Sequence, residues 1–340
     1  MGDTATLPPP RIDDEWRRWI AENLLLDSSP DDMQARMVAA GIDPAEAARE
    51  LRAARQSPYV AGAQRLRNRL AKHDWVLDNQ RRLNRLLPHE IPRRERLPGE
   101  DFLREHYSAG RPVLITGMME DWPARTKWSL DDFERRFGER RVQIQSGRNR
   151  DARYEIDKVA HQRTVPFGEF VRQVRAADRE NDFYMTAYNE GPNRQALAEL
   201  WDDIVQVPEY LTASGSSQGF LWLGPAGTIT PFHHDLTNNF MAQVLGRKRV
   251  RVIPACEIAH LYNDEHCFSR VDGRGIDLER YPLMRDVRVL ECTLAPGEML
   301  FLPVGCWHFV EALDVSATLT FTNFRWDNDF TAAYPAHTAF

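Results

Sequence analysis

Along the first quarter of the chain, apolar positions recur at helical spacing. From Asp13 onward Trp16, Trp19, Ile20 and Leu24 fall on one stripe of a 3.6-residue helix, and Asp13 stands where an N-cap belongs. Asp43-Pro44 followed by Glu46 is a second start signal: a capping side chain, a proline at the first helical position and a capping-box acid. After a proline-rich leader over 1–12, residues 13–96 are therefore predicted as an N-terminal helical region. Its last stretch, Ser57 to Leu87, sets Leu66, Leu70, Trp75, Leu83 and Leu87 among Arg65, Arg67, Arg69, Lys72, Arg81, Arg82 and Arg85. A stretch that is amphipathic and basic is either the solvated face of a helix packed on a main domain or a dock for an acidic peptide, RNA or a second subunit.

From about Leu97 the period shortens. Short β-rich runs appear at Pro112 to Ile115, Val142 to Gln145, Phe220 to Leu223, Asn239 to Leu245, Val250 to Ile253, Val287 to Thr293, Met299 to Leu302 and Ala317 to Phe324, broken by Gly, Pro and Asp turns. They predict a mainly β domain over 97–330, an antiparallel barrel or jelly roll, followed by a tail over 331–340. Ser129 to Phe137 and Val165 to Ala177 read as helices decorating its N-terminal side.

Composition adds exclusions. Forty-four basic against fifty acidic residues leave a net charge of -6, which argues against a surface devoted to nucleic acid, although a local basic patch is compatible with one. No apolar run approaches the roughly 18 residues of a membrane span, and the first residues lack the apolar core of a signal peptide, so no membrane partner and a cytoplasmic location are expected. Cys256, Cys267, Cys292 and Cys306 form no CxxC pair, which favours reduced thiols over disulfides or zinc. The basic set divides into forty Arg and four Lys, so each lysine is conspicuous.

The chemistry concentrates in Thr230-Pro231-Phe232-His233-His234-Asp235. On a strand, side chains at i and i+2 share a face, so His233 and Asp235 can reach one metal while His234 points away. A third ligand has to come from another strand, and His308 sits just after the run Met299 to Pro303. Two imidazoles and one carboxylate form the facial triad of non-haem Fe(II) oxygenases, with positions left open for a co-substrate and O2. An HxD triplet alone is a pattern that chance can produce; its surroundings carry the reading. Lys248 follows the Gly246-Arg247 turn, where a fixed cation could hold a carboxylate whose other end chelates the metal, the alternative being a surface charge.

The runs TPFHHDLTNNFMAQVLGRKRVRVIP, SRVDGRGIDLERYP and APGEMLFLPVGCWHFVEALDVSATLTFTNF, with GRPVLITGMMEDWPA upstream, resemble the JmjC/cupin-like 2-oxoglutarate oxygenases. Within them the chain is similar to the hydroxylase branch that includes the asparaginyl hydroxylase of hypoxia-inducible factor. The resemblance covers roughly Leu97 to Trp326 and implies a double-stranded β-helix, a jelly roll, behind an N-terminal α-helical appendage. It further implies that His233, Asp235 and His308 bind Fe(II), and that Lys248, with the hydroxyls of Thr230 and Tyr184, holds the distal carboxylate of 2-oxoglutarate. Tyr188 lies close to Tyr184 in sequence and competes for its place. Asn239 and Asn323 match polar positions of the same pocket, whereas Trp222, Trp307 and Trp326 read as core or rim aromatics.

The reaction so implied oxidises 2-oxoglutarate with O2 to succinate and CO2 and hydroxylates a C–H bond. A side chain of a peptide or protein is the expected substrate, with a homodimer through the N-terminal helices as one expected assembly. The segment Ala255 to Arg285 departs from the asparaginyl hydroxylase where substrate contacts are expected, so asparagine is not implied as the target. N-methyl-lysine demethylation, RNA (tRNA) hydroxylation and a non-catalytic cupin-like binding module are the other readings.

Overall fold

The computed structural model describes residues 11–186, 190–212, 219–263 and 265–335. The chain divides into two compact units, one ending at Gln80 and the other beginning at Arg81. The first is all helical: α1 (Asp14–Leu25), α2 (Pro30–Ala39), α3 (Pro44–Gln56) and most of α4 (Pro58–Asn84). The caps are those the sequence announces. Asp13 accepts from the Trp16 amide and Asp43 from the Glu46 amide, each at 2.9 Å, which satisfies backbone donors that an α-helix leaves open. Ile20, Met33, Met37, Ala47 and Leu51 form the small core of this unit. In α4 no residue is buried, and Tyr59, Leu66, Leu70 and Trp75 are exposed.

The division lies upstream of the expected boundary at residue 96. Residues 81–96 are tied into the second unit by hydrogen bonds from Asn84 to Cys256 Sγ and from Arg85 to the Asp286 carbonyl, and by the parallel pairing of β1 (Arg93–Glu95) with β2 (Val113–Thr116).

The remaining strands are β3 (Arg141–Ser146), β4 (Gln162–Pro166), β5 (Phe183–Tyr184), β6 (Gly219–Gly224), β7 (Ile229–His234), β8 (Asn239–Leu245), β9 (Lys248–Ile253), β10 (Leu290–Leu294), β11 (Met299–Leu302), β12 (Trp307–Ala312) and β13 (Ser316–Phe321). A six-stranded sheet runs β1-β2-β11-β8-β13-β6, a four-stranded sheet runs β10-β9-β12-β7, and β4-β3-β5 form a third. From β7 to β13 the chain passes back and forth between the two larger sheets, and their pairings are antiparallel. That is the double-stranded β-helix expected from the sequence. Met241, Val250, Val252, Leu300, Leu302 and Val310, drawn from both sheets, fill the space between them. Phe232, Ile253, Trp307 and Phe309 face the other way and pack beneath Leu261, Val271, Tyr281 and Met284 of the excursion between β9 and β10. The six-stranded sheet rests its outer face on Phe102, Phe133, Phe137, Phe167 and Phe170 of the N-terminal helical decoration.

One detail differs from expectation. Val165 and Pro166 end a strand, and the helix there is Phe167–Ala176, because Pro166 holds an extended backbone before the first turn. His308, just after the run Met299 to Pro303, stands on a strand of its own. Gly305, at φ 74°, turns the chain out of β11, and His308 is the second residue of β12 in the opposite sheet. The four cysteines are free. Among the described residues no helix is long and apolar enough to cross a membrane.

Candidate active site

Strand β12 alternates Trp307 and Phe309 outward with His308 and Val310 inward, as a pleated strand must. Its partner β7 does not alternate regularly. His308 pairs with His233 and Val310 with Thr230, so the single residue Phe309 stands opposite two, Pro231 and Phe232. This β-bulge lets Thr230 and His233, three apart, both face the pocket while Phe232 stays in the outer core. His234 points outward, against Trp307 and Tyr334.

The ligand atoms offered by His233, Asp235 and His308 all lie within 4.8 Å of one another. His233 Nε2 is 3.7 Å from Asp235 Oδ1, and His308 Nε2 is 3.9 Å from Asp235 Oδ2. His233 Nδ1 donates to the Pro231 carbonyl at 2.9 Å and His308 Nδ1 to the Cys306 carbonyl at 3.2 Å. A carbonyl can only accept, so each Nδ1 carries the proton and each Nε2 keeps its lone pair for a cation. Asn239 donates to Asp235 Oδ2 at 3.0 Å. Burial works to raise the Asp235 pKa, but His308, His233 and the Asn239 bond outweigh it and the carboxyl titrates below its ordinary value. Burial, then the neighbouring His233, pushes His308 down. The cluster thus turns one carboxylate and two imidazole Nε2 atoms to one point, the donor set of a divalent iron or similar borderline metal.

At the other end of the same cavity, which measures about 160 Å³, stands Lys248. It is 2% exposed, and its ammonium donates to Tyr184 Oη at 3.0 Å. Burial alone lowers its pKa from 10.5 to about 7. The turn that delivers it needs glycine: Gly246 has φ 66°, and a Cβ there would come within 2.1 Å of the Val315 carbonyl oxygen.

Of the residues singled out in the sequence, Tyr184, Thr230, His233, Asp235, Asn239, Lys248 and His308 line this one cavity. Asn323 does not. On β13 and just beyond it, Thr320 and Thr322 face inward, so the alternation turns Asn323 outward, where its amide donates to the Thr212 carbonyl at 3.0 Å. Tyr188 lies outside the described residues. Trp222 lines the pocket and donates to Thr320 Oγ1, whereas Trp307 is buried in the outer core.

Sequence reasoning missed Phe220, Thr237, Met241, Val310, Thr320 and Thr322 of the lining; a count of two from Asn239 finds Thr237 and Met241 and from His308 finds Val310, but the others need the sheet order. It also missed Arg148. That side chain is fully buried, pairs with Glu155 at 3.0 Å, donates to the Ile229 carbonyl at 2.6 Å and lies 5.2 Å from the Tyr184 ring centre, bracing the tyrosine that meets Lys248.

A jelly roll that carries an inward His-Asp-His cluster at one end of a cavity and a buried lysine at the other is a cupin-type barrel whose cluster could hold a metal ion. Residues 99–332 match the family described as Cupin-like domain, and the chain belongs to that family. It is 35% identical over 246 residues to Lysine-specific demethylase JMJ30 of Arabidopsis thaliana, covering 70% of this chain and 55% of that protein. It is 33% identical over 233 residues to Lysine-specific demethylase 8 of Xenopus tropicalis, covering 66% and 51%. With tRNA wybutosine-synthesizing protein 5 of Gallus gallus it shares 29% over 235 residues, covering 65% and 73%. The chain spans about half the length of the two demethylases. These names speak of lysine demethylation and tRNA modification rather than of the asparaginyl hydroxylase branch.

Proposed function

We propose that the second unit is an Fe(II)- and 2-oxoglutarate-dependent oxygenase that hydroxylates a side chain of a peptide or protein. The observation that carries this reading is a single cavity with two unmet electrostatic needs: a convergent carboxylate and two imidazoles that call for a cation, and a buried ammonium that calls for an anion. A dicarboxylate with a chelating keto acid head meets both. When bound, the iron would activate O2, with 2-oxoglutarate giving up two electrons and taking one oxygen atom as it becomes succinate and CO2, and the second oxygen atom would turn a C–H bond into C–OH.

The chain's own residues have defined tasks. His233 and His308 offer Nε2, their tautomers set by the carbonyls of Pro231 and Cys306, and Asp235 offers a carboxylate oriented by Asn239. Lys248 and Tyr184 hold the distal carboxylate, with Thr230 of β7 lining the same cavity across β12. Phe220, Met241 and Val310 exclude water from the bound chain.

Demethylation of N-methyl-lysine is the second reading, favoured by the names of the relatives at 35% and 33% identity. It uses the same oxidation, because a hydroxylated N-methyl group leaves as formaldehyde. The test is succinate formation from 2-oxoglutarate with Fe(II) and a peptide library that includes methyl-lysine, read by mass spectrometry, with His233→Ala as control. Gain of one oxygen supports hydroxylation, and loss of a methyl group with formaldehyde supports demethylation. Absence of both metal binding and succinate sinks the oxygenase reading and leaves a cupin-like binding module.

A further inference from the structure

A recess of about 330 Å³ opens in the second unit between the end of α4 and the segment that leads into β10, lined by Arg85, His89, Arg285, Asp286 and Arg288 with Leu87 and Val287. We infer that it is an oxyanion site, built for a phosphoryl group, either free phosphate or a phosphomonoester. Its fixed element is Arg288, which is 8% exposed. Both Nη atoms of Arg288 are spent on the carbonyls of Asn84, Leu87 and Pro88, where the end of a helix concentrates negative partial charge. The Arg288 Nε is buried without a hydrogen-bond partner. A buried guanidinium N–H left unmatched is costly, and an oxyanion oxygen would satisfy it.

Around this anchor cations outnumber carboxylates: Arg85, Arg285 and His89 stand with Asp286, and the buried Glu257 behind them accepts from the Arg288 amide and faces Arg85. Arg85 Nη2 donates to the Asp286 main-chain carbonyl at 2.7 Å and not to a carboxylate. No described residue offers a hydrogen bond or an ion pair to the side chains of Arg285 or His89, and the Asp286 carboxylate pairs with none of the cations beside it. Behind them Glu257 is engaged with Arg81 at 3.7 Å and His260 at 3.5 Å. Elsewhere this chain of net charge -6 matches arginine to carboxylate repeatedly, as in Arg153 with Glu265 and Arg247 with Asp314. Three guanidiniums gathered in one concavity repel one another, and a bound dianion removes that repulsion while using the fork geometry that suits phosphate. The segment that lines the recess leads into the sheet that carries His308. Leu290 of β10 pairs with Val252, and Val252 with His308, so the strands concerned are two spacings apart, roughly 10 Å.

The test titrates inorganic phosphate, phenyl phosphate and chloride at matched ionic strength into the full chain, followed by calorimetry and thermal shift. Saturable binding of phosphate with none of chloride is expected, weakened about tenfold or more in Arg285→Ala/His89→Ala and unchanged in Lys248→Ala. Phenyl phosphate binding at least as tightly as phosphate assigns a phosphomonoester; markedly weaker binding assigns free phosphate. Both altered side chains are exposed, so that variant keeps its fold, and Arg285→Lys should restore part of the affinity. The inference is overturned if phosphate acts only through ionic strength. It is overturned equally if the double variant binds phosphate as the parent does, or if binding is lost in Lys248→Ala, which would place the anion in the other cavity. The outcome does not depend on the oxygenase reading.

Discussion

At one end of the cavity a carboxylate and two imidazoles converge, each imidazole held in one tautomer by a main-chain carbonyl; at the other a single ammonium stands almost fully buried against one phenol. The first end is preorganised by hydrogen bonds. Asp235 is held toward its carboxylate form and His308 toward its neutral one, the forms a metal needs of them. The second end is preorganised by burial and is left in electrostatic debt: the lysine has a hydroxyl beside it and, among the described residues, no carboxylate partner, so its charge is unfavourable until a ligand arrives. One end waits with the correct donors, the other with an uncompensated cation. The two should therefore fail differently.

The largest effect is expected at the metal end. His308→Ala should abolish iron binding and succinate formation together, measured by metal analysis and turnover, because two remaining donors do not make a facial triad. Lys248→Ala should weaken 2-oxoglutarate about 10- to 100-fold, the worth of a charge-assisted hydrogen bond, while metal affinity is kept. If both constants move together in either variant, the two ends are not separable. Lys248→Met should also raise the melting temperature of the ligand-free protein by a few degrees, since a buried charge is replaced by an apolar chain of similar shape.

The same lysine sets a pH dependence with a definite sign. Its pKa in the folded protein is about 7 against an ordinary 10.5, so between those values the unfolded chain binds more protons. Stability of the ligand-free protein should rise with pH across that window and be lowest, for this group, below pH 7. Binding a carboxylate should in turn draw a proton onto Lys248. Calorimetry at pH 8 in two buffers of different ionisation heat should record proton uptake, absent in Lys248→Met. Smaller again is Asn239→Ala, which removes the bond that orients Asp235 and should cost about tenfold in metal affinity with the co-substrate constant little changed.

Much of this was legible because it depends on local spacing. The caps at Asp13 and Asp43, the shared face of His233 and Asp235, and the isolation of one lysine after a tight turn are all properties of a few adjacent residues. What was not legible depends on which strands become neighbours. Thr320 and Thr322 enter the pocket only because β13 lies next to β8, and Arg148, in the turn after β3, reaches Tyr184 because β3 pairs with β5. Asn323 was misplaced by one step of the pleat: a polar residue two beyond Phe321 shares the outward face of that strand, whereas Thr322 takes the inward one. The exposed apolar residues of α4 remain as the sequence left them, amphipathic and uncovered.

The extra residue in β7 has a consequence of a different kind. Upstream of Pro231-Phe232 the pocket is written in even-numbered positions, with Thr230; downstream it is written in odd ones, with His233 and Asp235. The strand therefore holds two reading frames, and the bulge is the point where one is exchanged for the other. A single-residue insertion or deletion on either side would exchange ligands for outer-core residues in that half alone, so the metal frame and the co-substrate frame can drift apart in evolution, or be redesigned, one at a time.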